Sequence, residues 1–135
     1  MQLDNILGYS PRTYLMSHGG IYMIRSITTG RVYIGQTISF WDRVSAHRTA
    51  LRNDKHSIAL LQTDWNAYGA KNFKFEVLIA FRHTLFVQGY IEPEQMTDLE
   101  IEYWEQHKSN CYNARKPYLS SWKALEPYRP RHRAA

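Results

Sequence analysis

The chain switches between two hydrophobic periods. Residues 21–27, Ile-Tyr-Met-Ile-Arg-Ser-Ile, are rich in β-branched and aromatic types and read as a strand. Thr28-Thr29-Gly30 is turn chemistry, and residues 31–37 read as a second strand, so the two form a hairpin. Ser39, with Asp42 three residues on, is a capping-box signature for a first helix. Its apolar stripe is Phe40, Val44, His47 and Leu51. A second helix starts near Ser57, with the stripe Ile58, Leu61, Trp65 and Tyr68, and Gly69 stops it. Residues 73–81 open by alternating Phe73, Phe75 and Val77 with Lys74 and Glu76, a third strand. Pro93 suits the first position of a third helix that runs to about Lys108. Its stripe is Met96, Leu99 and Tyr103, extended by His107. Residues 1–19 read as irregular, with Pro11 and Gly19-Gly20 as breakers, and residues 82–91 as a loop. The predicted order is ββααβα. The fold class is α+β: a small three-stranded antiparallel sheet flanked by helices.

Composition narrows the setting. At roughly 100–200 residues per domain, 135 residues make one domain. The single cysteine, Cys111, excludes a disulfide framework and a cysteine-based zinc site. No signal peptide and no membrane span is legible, so the expectation is a cytoplasmic protein. The net charge of +5 is unevenly placed. Six of the twelve acids lie between Glu92 and Glu105. Beyond Gln106 stand seven bases against one acid, Glu126. Lys123, Arg129, Arg131 and Arg133, interleaved with aromatics, suit a nucleic-acid backbone. A second basic group, Arg43, Arg48, Arg52 and Lys55, falls on the first helix and its exit.

Some polar residues do not follow the pattern. Tyr22 and Tyr33 share one face of the hairpin if its loop is even; a loop centred on Ile27–Thr28 sets them directly opposite. Arg43 and His47 are one turn apart on the first helix, and together they offer donors to a phosphate. On the third helix Glu100 borders the buried direction, whereas Asp98, Glu102 and Glu105 point away. A half-buried carboxylate needs a partner, a cation or a metal. A capping box from Thr97 to Glu100 would explain it only if the helix began at Thr97, and Pro93 argues for an earlier start.

Gly20-Ile21-Tyr22 and Tyr33-Ile34-Gly35, with ten residues between the tyrosines, resemble the GIY-YIG nuclease family. Arg43 and His47 match the family's first-helix pair. His56, the Leu60-Leu61-Gln62 run, Trp65-Asn66 through Gly69 and the strand from Asn72 to Leu78 resemble its phage homing-endonuclease branch. Glu100 matches the family's metal-binding glutamate, and Tyr112-Asn113 its Tyr-Asn pair. The resemblance implies a nuclease domain over residues 20–116, after an N-terminal extension (1–19) and before a basic aromatic tail (117–135).

The activity so implied is hydrolysis of DNA phosphodiesters with one divalent ion per site, Mg2+ or Mn2+. Tyr22, Tyr33, Arg43, His47 and Glu100 would be catalytic, with Glu100 the metal ligand. Gly35, His56 and Asn113 would support them. Arg48, Arg52, Lys55 and the tail bases would bind DNA. A repair or restriction nuclease on the same fold, or a non-catalytic DNA-binding module, is the alternative. About 20 residues follow the Tyr-Asn pair, too few for a recognition region. That leaves open a stand-alone nuclease of low specificity, a homodimer or separate specificity partner that supplies recognition, or an excised catalytic domain. The resemblance implies a phage or bacterial gene.

Overall fold

A computed structural model describes residues 12–113. The tail bases Lys123, Arg129, Arg131 and Arg133 lie outside the described residues. The elements are α1 (Arg12–Ser17), β1 (His18–Ser26), β2 (Val32–Thr37), α2 (Phe40–Arg52), α3 (Ala59–Tyr68), β3 (Phe73–Arg82), α4 (His83–Val87) and α5 (Pro93–His107). The three strands form one antiparallel sheet in the order β2-β1-β3. This is the expected α+β fold, with two short helices added.

β1 is the central strand, and Ile21 to Ile24 are buried on both of its faces. On one face Tyr22, Ile24, Phe73 and Phe75 pack with Phe40, Val44 and Leu51 of α2 and Leu61 and Trp65 of α3. On the other, Ile21, Met23, Val32 and Ile34 pack with Phe86 of α4 and Met96 of α5. Each fully buried side chain of this size contributes roughly 1.5–3 kcal/mol. The helices therefore form two layers with the sheet between them.

The local signals explain the helix ends. Ser39 Oγ accepts from Asp42 N at 3.4 Å and caps α2. Gly69, at φ +83°, ends α3 in a conformation that favours glycine. Pro93 opens α5, and Glu92 and Gln95 form its capping box. Thr97 is therefore inside the helix, as Pro93 implied.

Four expectations need correction. Residues 12–19 are not irregular: Leu15 of α1 is in the core, Arg12 lies 4.9 Å from the Trp41 ring centre, and β1 starts at His18. Residues 82–91 contain α4. The buried face of α5 is Met96, Thr97, Glu100 and Trp104. It is turned toward Glu100 by roughly 70° relative to the stripe through Leu99 and Tyr103, at 100° per residue. Finally, β1 pairs Tyr22 with Gly35 and Ile24 with Tyr33, so the turn centres on Thr28–Thr29. The tyrosines share a face but sit diagonally.

Gly35, directly opposite Tyr22, has a steric reason to be glycine. A Cβ there would overlap the Tyr22 Oη and Cζ. Gly35→Ala is expected to push the Tyr22 ring aside and cost about 1–3 kcal/mol of stability, the usual range for overpacking. Thermal unfolding checks this, and an unchanged midpoint would show that the ring has room.

Candidate active site

β1 and β2 present Tyr22 and Tyr33 toward α2, with ring centroids 6.1 Å apart. Tyr22 is fully buried, whereas Tyr33 reaches a surface pocket. Arg43, on the first turn of α2, lines the same pocket with His47, Lys55 and His56. Its guanidinium stands beside both tyrosine hydroxyls, and its charge and hydrogen bonding lower the pKa of each.

The two histidines form a relay whose proton positions follow from one backbone group. Ile58 N donates to His56 Nδ1 at 3.0 Å, so that nitrogen is an acceptor. A neutral ring then carries its proton on Nε2. His56 Nε2 lies 2.8 Å from His47 Nδ1, which must accept. His47 Nε2 is left to donate to Tyr22 Oη at 2.7 Å. Both histidines are held neutral. His47 is pushed well below its usual 6.5, by burial first and then by Arg43 and His56. His56 is lowered by burial and by Arg43. Tyr22 already accepts from His47, so its own proton is free to be donated; a hydrogen bond from Tyr22 lowers the pKa of Tyr33. Burial nevertheless raises both phenols, so both are neutral at rest.

Glu100 reaches the site from the other layer. Its charge raises the pKa of both tyrosines, which places it within electrostatic range of them. It is only 5% exposed, and burial pushes its carboxyl up to about 7, against a hydrogen bond from Gln36. Gln36 Nε2 donates to Glu100 Oε1 at 2.6 Å and to Thr97 Oγ1 at 3.3 Å. Alternation along β2 puts Gln36 on the α5 face and Tyr33 on the α2 face. β2 is an edge strand, so the site wraps around an open edge of the sheet. Asn113 closes part of that edge. Its Oδ1 accepts from Ile34 N at 3.3 Å and its Nδ2 donates to Ile34 O at 2.7 Å. Trp104 Nε1 in turn donates to the Asn113 carbonyl at 2.8 Å, tying this clamp to α5.

The model of the GIY-YIG catalytic domain matches residues 18–113, well over half of the chain. The chain belongs to the GIY-YIG family. Two solved structures share the fold of this GIY-YIG chain. One is a glutamate-to-alanine variant of the catalytic domain of intron endonuclease I-TevI, with TM-score 0.63 and 23% identity, covering 75% of this chain and 97% of that one. The other is the catalytic domain of homing endonuclease I-TevI, with TM-score 0.59 and 24% identity, covering 70% and 95%. Comparison with curated proteins gives no match.

The GIY-YIG tripeptides thus lie on adjacent strands, and the structure brings Tyr22, Tyr33, Arg43, His47 and His56 together with Glu100 in range. His56 precedes α3 rather than opening it. Of the bases expected to meet DNA, Lys55 lines the pocket. Arg48 and Arg52 are set apart from it, about 140° and 180° around the helix from Arg43 at 100° per residue.

The motifs do not single out Gln36 and Thr97, which the structure adds to the site. A signal existed: Gln36 follows Val32 and Ile34 on the apolar face of β2, where an amide needs a partner. Among the described residues no three His, Cys, Asp or Glu side chains converge as a metal cluster. The donors at Glu100 nevertheless fit a hard cation. Gln36 Oε1 is a buried acceptor without a hydrogen-bond partner beside the carboxylate, and Mg2+ binds through few protein oxygens and keeps several waters. No helix among the described residues is long and apolar enough to cross a membrane.

The buried neutral His47 carries a pH signature. Its folded pKa lies below its unfolded value of 6.5, so the unfolded chain binds more protons as pH falls through 6.5. The stabilisation from neutral His47 is full above that pH and shrinks below it. Glu100 shifts the opposite way, so the comparison must isolate His47. The stability advantage of the wild type over His47→Gln, from urea unfolding, is expected to fall between pH 6.5 and 5. A constant advantage would mean that His47 titrates alike in the folded and unfolded chains.

Proposed function

We propose that this GIY-YIG chain is a homing-endonuclease-like enzyme that hydrolyses DNA phosphodiesters, with Mg2+ or Mn2+ held at Glu100. The observation that carries this reading is the meeting, around one sheet edge, of the Arg43 guanidinium, the Tyr22–Tyr33 pair and the buried Glu100 carboxylate. A non-catalytic DNA-binding module has no use for that carboxylate, whose desolvation costs stability. The likeness to the two solved catalytic domains, of an intron and homing endonuclease, supports the choice of branch.

Arg43 holds a non-bridging oxygen of the scissile phosphate and stabilises the charge that develops there. Tyr33 faces the pocket and orients the attacking water, which fully buried Tyr22 cannot reach. The Arg43 charge and hydrogen bonding from Tyr22 and Arg43 favour the Tyr33 anion against burial; Tyr33 gives its phenolic proton to solvent through the pocket, and the anion takes the water's proton as it attacks. His47 and His56 keep the Tyr22 proton aimed at Tyr33. The cation, when bound, supplies charge neutralisation at the phosphate and the leaving oxygen. Lys55, with the tail bases, contacts neighbouring phosphates and sets no sequence preference, and Arg48 and Arg52, on the far side of α2, take no part in this contact.

The test is incubation of the full chain with supercoiled plasmid, linear duplex and single-stranded DNA, in Mg2+ and in EDTA. Nicked or linear plasmid in Mg2+ alone is expected. Intact DNA in Mg2+, or equal cleavage in EDTA, contradicts the reading.

A further inference from the structure

The Glu100 carboxylate meets the side-chain amide of Gln36. The carboxylate, when ionised, can only accept hydrogen bonds, so it fixes the Gln36 amide with the NH2 group toward it, at 2.6 Å. Thr97 Oγ1 takes the second contact from the same nitrogen. The Gln36 carbonyl oxygen is thereby turned to a buried position where no donor meets it. Among the described residues no Lys, Arg or His pairs with Glu100. Two buried acceptors from different elements, β2 and α5, thus stand side by side without a compensating charge. Amide carbonyls and carboxylates are the donors that hard divalent cations prefer.

We propose that the Gln36 side-chain carbonyl is a second protein oxygen for the cation held at Glu100. The proposal rests on the reading of Glu100 as the cation ligand. It gives Gln36 two duties. Its NH2 group orients the carboxylate before the ion arrives, and its carbonyl joins the carboxylate once the ion is present. Thr97 keeps the amide in place as it adjusts, because a hydroxyl both donates and accepts.

The experiment uses Mn2+ as the probe, with the full chain labelled with 13C at the glutamine side-chain carbonyl. Calorimetry measures Mn2+ affinity, and electron–nuclear double resonance measures coupling between bound Mn2+ and the label. The wild type is expected to show a strong 13C coupling that Gln36→Leu lacks, with Mn2+ affinity at least about tenfold weaker in the variant. The wild-type spectrum stands by itself if the variant does not fold, and Gln36→Glu, which removes the label at this position alone, then assigns the coupling. Mn2+ bound without a glutamine coupling, or with one that survives the substitution, overturns the role of the Gln36 carbonyl and leaves Glu100 in place. Wild-type binding that Glu100→Gln does not weaken overturns the reading of Glu100 itself, and the proposal with it.

Discussion

Arg43→Ala is expected to slow single-turnover DNA cleavage by about 10³-fold or more while the chain stays folded. Removal of one donor aimed at transition-state charge typically costs about 10²–10³ in rate, and here the donor is a full positive charge. Arg43 also lowers the pKa of both tyrosines, so its loss leaves less of the Tyr33 anion that takes the water's proton. The fold should survive, because the buried stripe of α2 is Phe40, Val44, His47 and Leu51, and Arg43 stands beside it. Rate and melting temperature are measured on the same preparation. A collapse of the melting temperature would make Arg43 a structural residue. A rate within tenfold of wild type would remove it from the transition state.

The second large effect belongs to Glu100. Glu100→Gln should abolish cation-dependent cleavage, leave DNA binding in place and make the fold more stable without divalent ions. The sign follows from burial. The carboxyl is shifted from 4.5 in the unfolded chain to about 7 in the fold, so the folded state holds its proton longer. That stability is present at acid pH and lost as pH rises through about 7. At pH 8 the ionised group costs roughly 3 kcal/mol relative to a neutral one. The amide avoids this cost and still accepts from Gln36. A higher melting temperature for Glu100→Gln in EDTA at pH 8, with cleavage lost in Mg2+, is the expected pair of results. Exposed Glu102 offers the control, and Glu102→Gln should change neither. Equal damage from both variants would show that the wrong acid had been assigned.

How far the structure is legible in the sequence depends on whether the deciding contact is local. Ser39, Gly69 and Pro93 each act on their own helix end, and each stands where the pattern puts it. The hairpin register does not follow from local residues. Its turn is held by Asn72, whose backbone and side-chain oxygens accept from Ile27 N and Thr28 N at 2.8 and 2.9 Å. A contact from a residue so distant in the chain moves the turn by one position, and with it the partner of Tyr22. The buried face of α5 departs from the apolar pattern for a similar reason. Thr97 and Trp104 turn inward because Gln36 and Asn113 meet them there. Helix α1 has only six residues, too short for a period to show between Pro11 and Gly19.

The site divides in the same way. The motif residues were legible by type and spacing, and their meeting on one face of β1 and β2 follows from strand alternation. The histidine relay was not, because it depends on His56 folding back over His47 with ring centroids 5.0 Å apart. Nor was the shell around Glu100, since Gln36 and Thr97 become partners only when α5 crosses β2.

The central claim is that groups from two layers, on opposite faces of the sheet, act as one site around the edge of β2. A double-mutant cycle tests it most directly, with single-turnover cleavage rates for the wild type, Arg43→Ala, Glu100→Gln and the double variant at saturating DNA and Mg2+. Residues that work as a unit give strongly non-additive losses. The account predicts that the double variant is no slower than the slower single variant. Losses that multiply would contradict it, because they would mean that Arg43 and Glu100 act independently.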